Sequence, residues 1–386
     1  MEDIISKWVA EKRISPFAEV RNWIRALSKI ARNAPAPAMV TWDEDGNRLK
    51  LHGHIIDITL YKAELHRTLT DTIAYFHEKV LRGIQLPQTA FELPNEDDYD
   101  QTTRGHGLFA FSDNDAQNPD HPATIFMQEL SLQGTLCQYK NGELLWDREE
   151  VSYWQVHVSF CLSQIYVLLH LLSPPGRGTE EALLQYVNST ETRRHLFRSQ
   201  TLNTLVLISN YDKGAYLSGI YKCIIRVIQY QVAGLLSAFL RVVRPIELAL
   251  ALKFQIVAEK SKVMALYQER IFVSFGKAWE SRRLTGIIYD WYTSHLGLPI
   301  GIHLHRHFAQ ALQRRLYPRS NLADQALQKL NEAANLALGH GKEAGEMNYA
   351  RDHSDVLQMS QQEMFERVGK DWLQFLGFEA SDSSDS

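Results

Sequence analysis

A series of basic residues and one tyrosine in the second half of the chain has the types and the spacing to act on a phosphodiester. Arg177 comes first, in the stretch PPGRGTEEALL, where a glycine-rich turn enters a helical pattern. His303 and Arg306 follow in HLHR, three residues apart, so a helix would place both on one side of a turn. His340 and Tyr349 end the series in LGHGKEAGEMNY, nine residues apart. The question is whether the fold brings them together.

Attack on a phosphate explains why these residue types would be needed. Arginine offers permanently charged, planar and bidentate donors to phosphate oxygens, and Arg177 and Arg306 together would stabilise the charge that builds on them. The histidines would add donors to the same oxygens. The tyrosine hydroxyl, with a reference pKa of about 10, is a poor nucleophile until cations surround it. Lys213, in the turn NYDKG, can protonate the departing 5′ oxygen. No carboxylate cluster typical of a two-metal nuclease occurs.

Each residue also has an ordinary interpretation when it is taken alone. Tyr349 can be a loop tyrosine, His340 a histidine at a helix C-terminus, and Lys213 a turn lysine. The histidines of HLHRH raise the alternative of a metal site, but no carboxylate or cysteine lies nearby in sequence and a helix separates residues two apart. We therefore expect no metal. His52 and His54, on either side of a glycine, are expected to be surface histidines.

Charge is spread unevenly along the chain. The net charge is −4, but residues 87–150 hold 13 acidic and 3 basic residues, a balance of −10, which leaves −4 minus −10, or +6, for the remainder. A local basic face matters more for DNA binding than the total charge. Arg193, Arg194 and Arg198 form one basic cluster, which can either contact DNA backbone or be a solvated face.

Hydrophobic periodicity predicts a mainly α fold with a small β-sheet. Alternation on either side of Asp45-Gly46 predicts a β-hairpin, and a long amphipathic helix is predicted to follow it, from Leu65 to Val80. From about residue 124 the chain is predicted to be mostly helical, except for a small sheet within 195–214. Residues 151–176 lack Asp, Glu, Lys and Arg, which allows a membrane span, but their polar residues and prolines favour a helix buried in the protein.

The chain is accordingly divided into four regions. They are a mostly helical N-terminal domain with a hairpin (1–86), an acidic linker or extended loop (87–123), a larger α+β domain (124–377) and a disordered acidic tail (378–386). The three cysteines lie far apart in sequence, which favours a reducing compartment.

Taken together, the motifs resemble those of the tyrosine recombinase superfamily. GRGTE resembles its first arginine box, HLHR its His-x-x-Arg box, and LGHGKEAGEMNY its Leu-Gly-His box with the nucleophilic tyrosine nine residues on. GHGLFAFSDN, PPGRGTE, NYDKG and FLRVVRPIEL are more narrowly similar to Crypton-like recombinases of fungal mobile elements, including the segments found beside RecQ-type helicases. The narrower resemblance covers most of the chain, loosely before residue 100.

The resemblance implies a site-specific recombinase or transposase that breaks and rejoins double-stranded DNA without metal or cofactor. A helical N-terminal domain and the catalytic domain would clamp the DNA, and a dimer or tetramer would assemble on it in the nucleus. Tyr349 would form a 3′-phosphotyrosyl link. Arg177, Arg306, His303 and His340 would hold the phosphate, and Lys213 would be the general acid.

Two departures from the family pattern keep alternatives open. The interval from Arg177 to Lys213 is wider than in compact members, and the N-terminal region contains a predicted hairpin. A non-catalytic DNA-binding or scaffolding descendant is therefore one alternative, and a type IB topoisomerase-like activity is another. GxxxxGK[ST], the phosphate loop of a helicase motor, does not occur in the chain.

Overall fold

The computed structural model of the chain describes residues 19–20, 22–27, 40–199, 201–209, 224–254, 259–317, 333 and 354–379. From residue 40 onward its helices are α1 Ile58–Tyr75, α2 Asp113–Gln117, α3 Pro122–Gln133, α4 Arg148–Leu171, α5 Gly178–Glu181, α6 Tyr230–Ala238, α7 Arg244–Phe254, α8 Lys260–Glu269, α9 Ser281–Leu296, α10 Ile302–Leu316 and α11 Ser354–Leu376. Its strands are β1 Val40–Trp42, β2 Arg48–Leu51, β3 His54–Asp57, β4 Cys137–Lys140, β5 Glu143–Trp146, β6 Leu196–Arg198, β7 Leu205–Ser209, β8 Ile224–Val227, β9 Val273–Ser274 and β10 Lys277–Ala278. The prediction of a mainly helical chain with small sheets is confirmed at this level.

The predicted N-terminal hairpin is present and has a third strand. β1, β2 and β3 form an antiparallel meander in that order. Its second turn consists of His52 and Gly53, both with positive φ (47° and 89°), which is the geometry that two-residue hairpins prefer. Asp57 then caps α1, because its side chain accepts a hydrogen bond from the Leu60 N–H at 3.0 Å. α1 continues into a π-helical turn at Phe76–Val80, so the predicted amphipathic helix is confirmed.

One expectation for the middle of the chain was wrong. The region after residue 124 was predicted to be helical up to the small sheet, but β4 and β5 form an antiparallel hairpin between α3 and α4. Asn141 and Gly142 both have positive φ (56° and 81°). This Asn-Gly pair is the strongest short-range signal for such a turn, and it outweighs the surrounding helical pattern.

The small sheet predicted within 195–214 is present as β6 and β7, but it has a third antiparallel strand, β8, in a region that was predicted to be helical. Ser209 at the end of β7 is paired with Ile224 at the start of β8. α11 packs against β8, and the approach is close, because a Cβ on Gly369 would lie only 2.5 Å from Val227 Cγ2. The three-stranded sheet therefore lies between α11 and the residues of the candidate functional site.

One continuous hydrophobic core includes residues from both sides of segment 87–123. α1 packs against α4, and Trp154 Nε1 donates to the Val80 carbonyl at 2.8 Å. Trp291 Nε1 donates to Thr68 Oγ1 at 2.9 Å. The boundaries proposed between the regions remain predictions, whereas the packing between these parts of the chain is extensive.

Segment 87–123 has little regular structure, namely a 3₁₀ turn and the short helix α2. It lies against the rest of the molecule. Asn188 Nδ2 donates to the Gln101 carbonyl at 2.9 Å, and the Tyr99 hydroxyl donates to the Arg198 carbonyl. Phe109 is buried. The segment thus belongs to the packed body of the protein.

Candidate functional site

Arg177 lies where a buried loop enters the short helix α5. Its backbone is extended, its N–H donates to Glu180 Oε2 at 3.3 Å, and its side chain is half-buried. The next residue, Gly178, packs against the beginnings of α9 and α10. A Cβ at Gly178 would lie 2.6 Å from Ser281 Oγ and 3.1 Å from Ile302 Cδ1. This close approach requires glycine and brings the first turn of α10 next to Arg177.

Glu180 is buried and joins α5 to the three-stranded sheet. Its Oε1 accepts hydrogen bonds from Ser209 Oγ at 2.6 Å and from Arg226 Nη1 at 2.8 Å. Burial acts to raise the pKa of Glu180, but the Arg226 charge and the hydrogen bonds outweigh it and lower the pKa. The carboxylate is therefore ionised and holds α5 on β7 and β8.

Arg306 lies in the second turn of α10 and is partly buried. Burial lowers the pKa of its guanidinium, and the charge of Arg177 lowers it further. Glu180 and Arg226 act on the same pKa in opposite directions. The structure thus brings the two predicted arginines, which are far apart in sequence, into one charged cluster.

A second buried network runs from α5 through α4 to α10. Glu181 accepts a hydrogen bond from the Tyr166 hydroxyl at 2.7 Å and contacts His170 Nδ1 at 2.8 Å. The rings of His170 and His305 lie 5.1 Å apart, and the Nε2 atom of each is buried without a hydrogen-bond partner in the described part of the chain. His305 Nδ1 contacts the Tyr292 hydroxyl at 2.7 Å. Burial holds the pKa of His305 well below its usual range, so this ring is neutral.

Lys213 lies in segment 210–223, outside the described residues. The segment leaves from Ser209 and returns at Ile224, which are register partners on β7 and β8. Because Ser209 is hydrogen-bonded to Glu180, both ends of the Lys213 segment lie beside the Arg177 cluster.

His303 is exposed on α10, one turn before Arg306. Its ring centroid is 4.8 Å from that of His307. His340 and Tyr349 lie outside the described residues, so their roles remain predictions.

The three arginines predicted to contact DNA differ in their burial and in their partners. Arg193 is exposed, whereas Arg194 is only 2% exposed and its guanidinium forms an ion pair with Asp97 and donates to the Leu196 carbonyl at 3.2 Å. Arg194 therefore holds segment 87–123 on the sheet and does not reach a phosphate in this conformation. Arg198 is half-buried, and its Nη2 donates to Asn203 Oδ1 at 3.0 Å. Of the three, Arg193 is the most exposed residue and Arg194 is buried.

No family model, no curated protein and no solved structure matches this chain. Among the described residues, no three His, Cys, Asp or Glu side chains are grouped so as to hold a metal ion. None of the helices within those residues is both long and apolar enough to cross a membrane.

The sequence motifs did not identify several residues that build the site. Five residues contact the site or its supporting network, namely Arg226, Ser209, His170, His305 and Tyr292. Arg226 could have been noticed as a lone charge in the apolar run CIIRVIQY, since a buried charge needs a partner. The partner itself, Glu180, lies in a different part of the sequence.

Proposed function

We propose that this protein cleaves and rejoins DNA strands through a 3′-phosphotyrosyl intermediate, as a tyrosine recombinase of a mobile element does. The proximity of Arg177 and Arg306 is the observation that carries the proposal. Arg177 precedes Gly178, which packs against the first turn of α10, the helix that carries Arg306. Arg177 and Arg226 lower the pKa of Arg306 against the opposing effect of Glu180 and Glu181, and a bound phosphate would add a further compensating negative charge. Ser209 and its register partner Ile224, the described residues on either side of segment 210–223, lie beside Glu180, which supports the same interpretation.

In the proposed reaction, the Tyr349 hydroxyl oxygen attacks the phosphorus and the bond from phosphorus to the 5′ oxygen breaks. Lys213 gives a proton to the departing 5′ oxygen, and the phenol proton passes to solvent. Arg177 and Arg306 stabilise the pentacoordinate phosphorane, and His340 adds a donor. A 5′ hydroxyl of a partner strand reverses these steps and releases Tyr349.

The proposal also specifies the substrate, the oligomeric state, the location and the absence of a cofactor. The substrate is double-stranded DNA, the protein acts as a dimer or tetramer on that DNA, and it works in the nucleus without a cofactor. Strand exchange requires at least two protomers, since each contributes one tyrosine to one strand.

A non-catalytic DNA-binding or scaffolding module is the second candidate, and a specific observation favours it. Arg194 and, in part, Arg198 are engaged by neighbouring protein groups, which weakens the basic surface expected of a DNA enzyme. Such a module would bind DNA in a salt-sensitive way and would do so equally well without Tyr349.

Covalent trapping separates the two candidates. Purified protein is incubated with randomised, nicked DNA duplexes, denatured, and examined for DNA-linked protein. The proposal predicts an adduct in the wild type and in Tyr153→Phe, which removes an exposed hydroxyl on α4, but none in Tyr349→Phe. DNA binding without an adduct in the wild type would favour the non-catalytic module.

A further inference from the structure

Three imidazoles from two different parts of the chain meet on the surface beside Arg306. The His307 ring lies 4.8 Å from the His303 ring and 6.0 Å from the His52 ring, measured between centroids. His303 and His307 are one turn apart on α10, whereas His52 comes from the β2–β3 turn. His52 and His303 are exposed and His307 is half-buried, so the group is accessible from solvent.

His52 lies in the β2–β3 turn with φ 47°, in the left-handed region that asparagine, aspartate and histidine adopt more readily than other non-glycine residues. The turn places the His52 ring beside His307, with 6.0 Å between the ring centroids. Asparagine suits the same backbone conformation, so its substitution for His52 removes the imidazole and keeps the turn.

The charges around this group are those of an anion site. Burial lowers the pKa of His307, and His303, His52 and Arg306 lower it further, so every charged neighbour that acts on this ring is basic. These basic neighbours disfavour protonation of His307, and a bound oxyanion would offset their effect. Binding of the anion would then be coupled to uptake of protons.

We propose that His52, His303 and His307 form a proton-linked oxyanion subsite that holds a backbone phosphate next to the one held by Arg177 and Arg306. The inference rests on the proposed function only for the identity of its ligand as DNA. It assigns the N-terminal meander a direct contact with that DNA, through a strand turn instead of a helix.

The test compares DNA affinity across pH in variants of the cluster. The binding constant for a labelled duplex is measured by fluorescence anisotropy in a Tyr349→Phe background, between about pH 6 and pH 8 where histidine titrates. Uptake of one proton raises the affinity about tenfold for each unit by which pH falls. His52→Asn, which suits the turn, and His307→Gln should each reduce this slope. His54→Asn, two residues from His52 on β3, is the matched control and should leave it unchanged. A slope that is the same in all four proteins would overturn the proposal.

A second probe separates this inference from the proposed function. Inorganic phosphate is added while the histidine ring resonances are followed by NMR. Phosphate-dependent shifts of the His52 and His307 ring resonances, without any DNA adduct in the wild type, would retain the subsite and reject the recombinase. An adduct together with no response of these two rings to either phosphate or DNA would retain the recombinase and reject the subsite.

Discussion

Glu180 and Glu181 are adjacent in sequence and both buried, yet they serve different partners. Glu180 faces Arg226 and Ser209, whereas Glu181 faces His170 and Tyr166. Burial opposes ionisation of both, but their polar partners lower the pKa of each. Their contribution to stability is therefore present at neutral pH and is lost as pH falls below the ordinary glutamate range.

Replacing Glu180 by glutamine should destabilise the protein strongly. The change removes the negative charge that faces the buried Arg226 guanidinium, and breaking a buried pair in this way costs about 3 kcal/mol or more. Urea unfolding measures the effect. Glu259→Gln is the matched control, because its pair with Lys262 is exposed (55% and 75%), and should change stability by less than about 1 kcal/mol. Equal effects of the two changes would contradict the role given to Glu180.

Glu247 should make stability depend on pH in the opposite direction. Burial raises its pKa from 4.5 to about 7, although Arg244 partly opposes the shift. The folded state then holds a proton that the unfolded state has lost, so stability falls as pH rises between about 4.5 and 7, by about 3 kcal/mol in total. Glu247→Gln should remove this pH dependence, so that its stability stays nearly constant over the interval in which that of the wild type falls. Parallel stability curves for the two proteins would refute the assignment.

At the scale of elements, the contact of α11 with β8 is a close one. α11 begins five residues after Tyr349 in the sequence, and β8 carries Arg226. Gly369 permits the contact, because an added Cβ would come within 2.7 Å of two carbon atoms of Val227. The distance between helix and sheet is therefore set by the absence of a side chain.

Gly369→Ala should lower stability despite the better helix propensity of alanine. The extra methyl group forces α11 away from β8, and such overpacking costs about 1–3 kcal/mol. Gly286→Ala in α9 is the control, because no atom lies within 4 Å of its added Cβ, and it should stabilise the protein by up to about 1 kcal/mol. Thermal unfolding of both variants measures the difference. A stabilised Gly369→Ala protein would show that α11 does not pack as described.

Elements with strong local signals could be predicted from the sequence. The alternation around Asp45-Gly46 and the apolar spacing of α1 correspond to the observed meander and helix. The β4–β5 hairpin was missed although Asn141-Gly142 signalled it, because the apolar residues around it also fit a helical period. The His52-Gly53 turn was not singled out, because His-Gly is not among the residue pairs that most strongly signal a two-residue hairpin turn.

At the scale of the whole molecule, the site depends on contacts that local patterns do not encode. Arg177 and Arg306 could be nominated from their motifs, but Arg226, His170 and His305 are recognisable only from contacts between distant segments. The burial of Arg194 depends in the same way on Asp97, in a segment whose acidic composition indicated a loop. Long-range packing, therefore, decided which basic residues are structural.

The shared core predicts that the protein unfolds as one cooperative unit. α1 and α4 pack together, and Trp154 and Trp291 each donate a hydrogen bond to the N-terminal part of the chain. Urea unfolding followed by tryptophan fluorescence and by far-ultraviolet circular dichroism should give coincident transitions. Two separated transitions would show that the N-terminal region folds independently.

The most direct test of the central claim asks whether Arg177 and Arg306 act on the same phosphate. Rates of adduct formation with nicked DNA are measured for the wild type, Arg177→Lys, Arg306→Lys and the double variant. Loss of a transition-state donor lowers such rates about 10²–10³-fold. If both arginines hold one phosphorane, the double variant should be little slower than the slower single variant, because residues that act as a unit are not additive. Losses that multiply, or a single variant that forms adduct at the wild-type rate, would contradict the account.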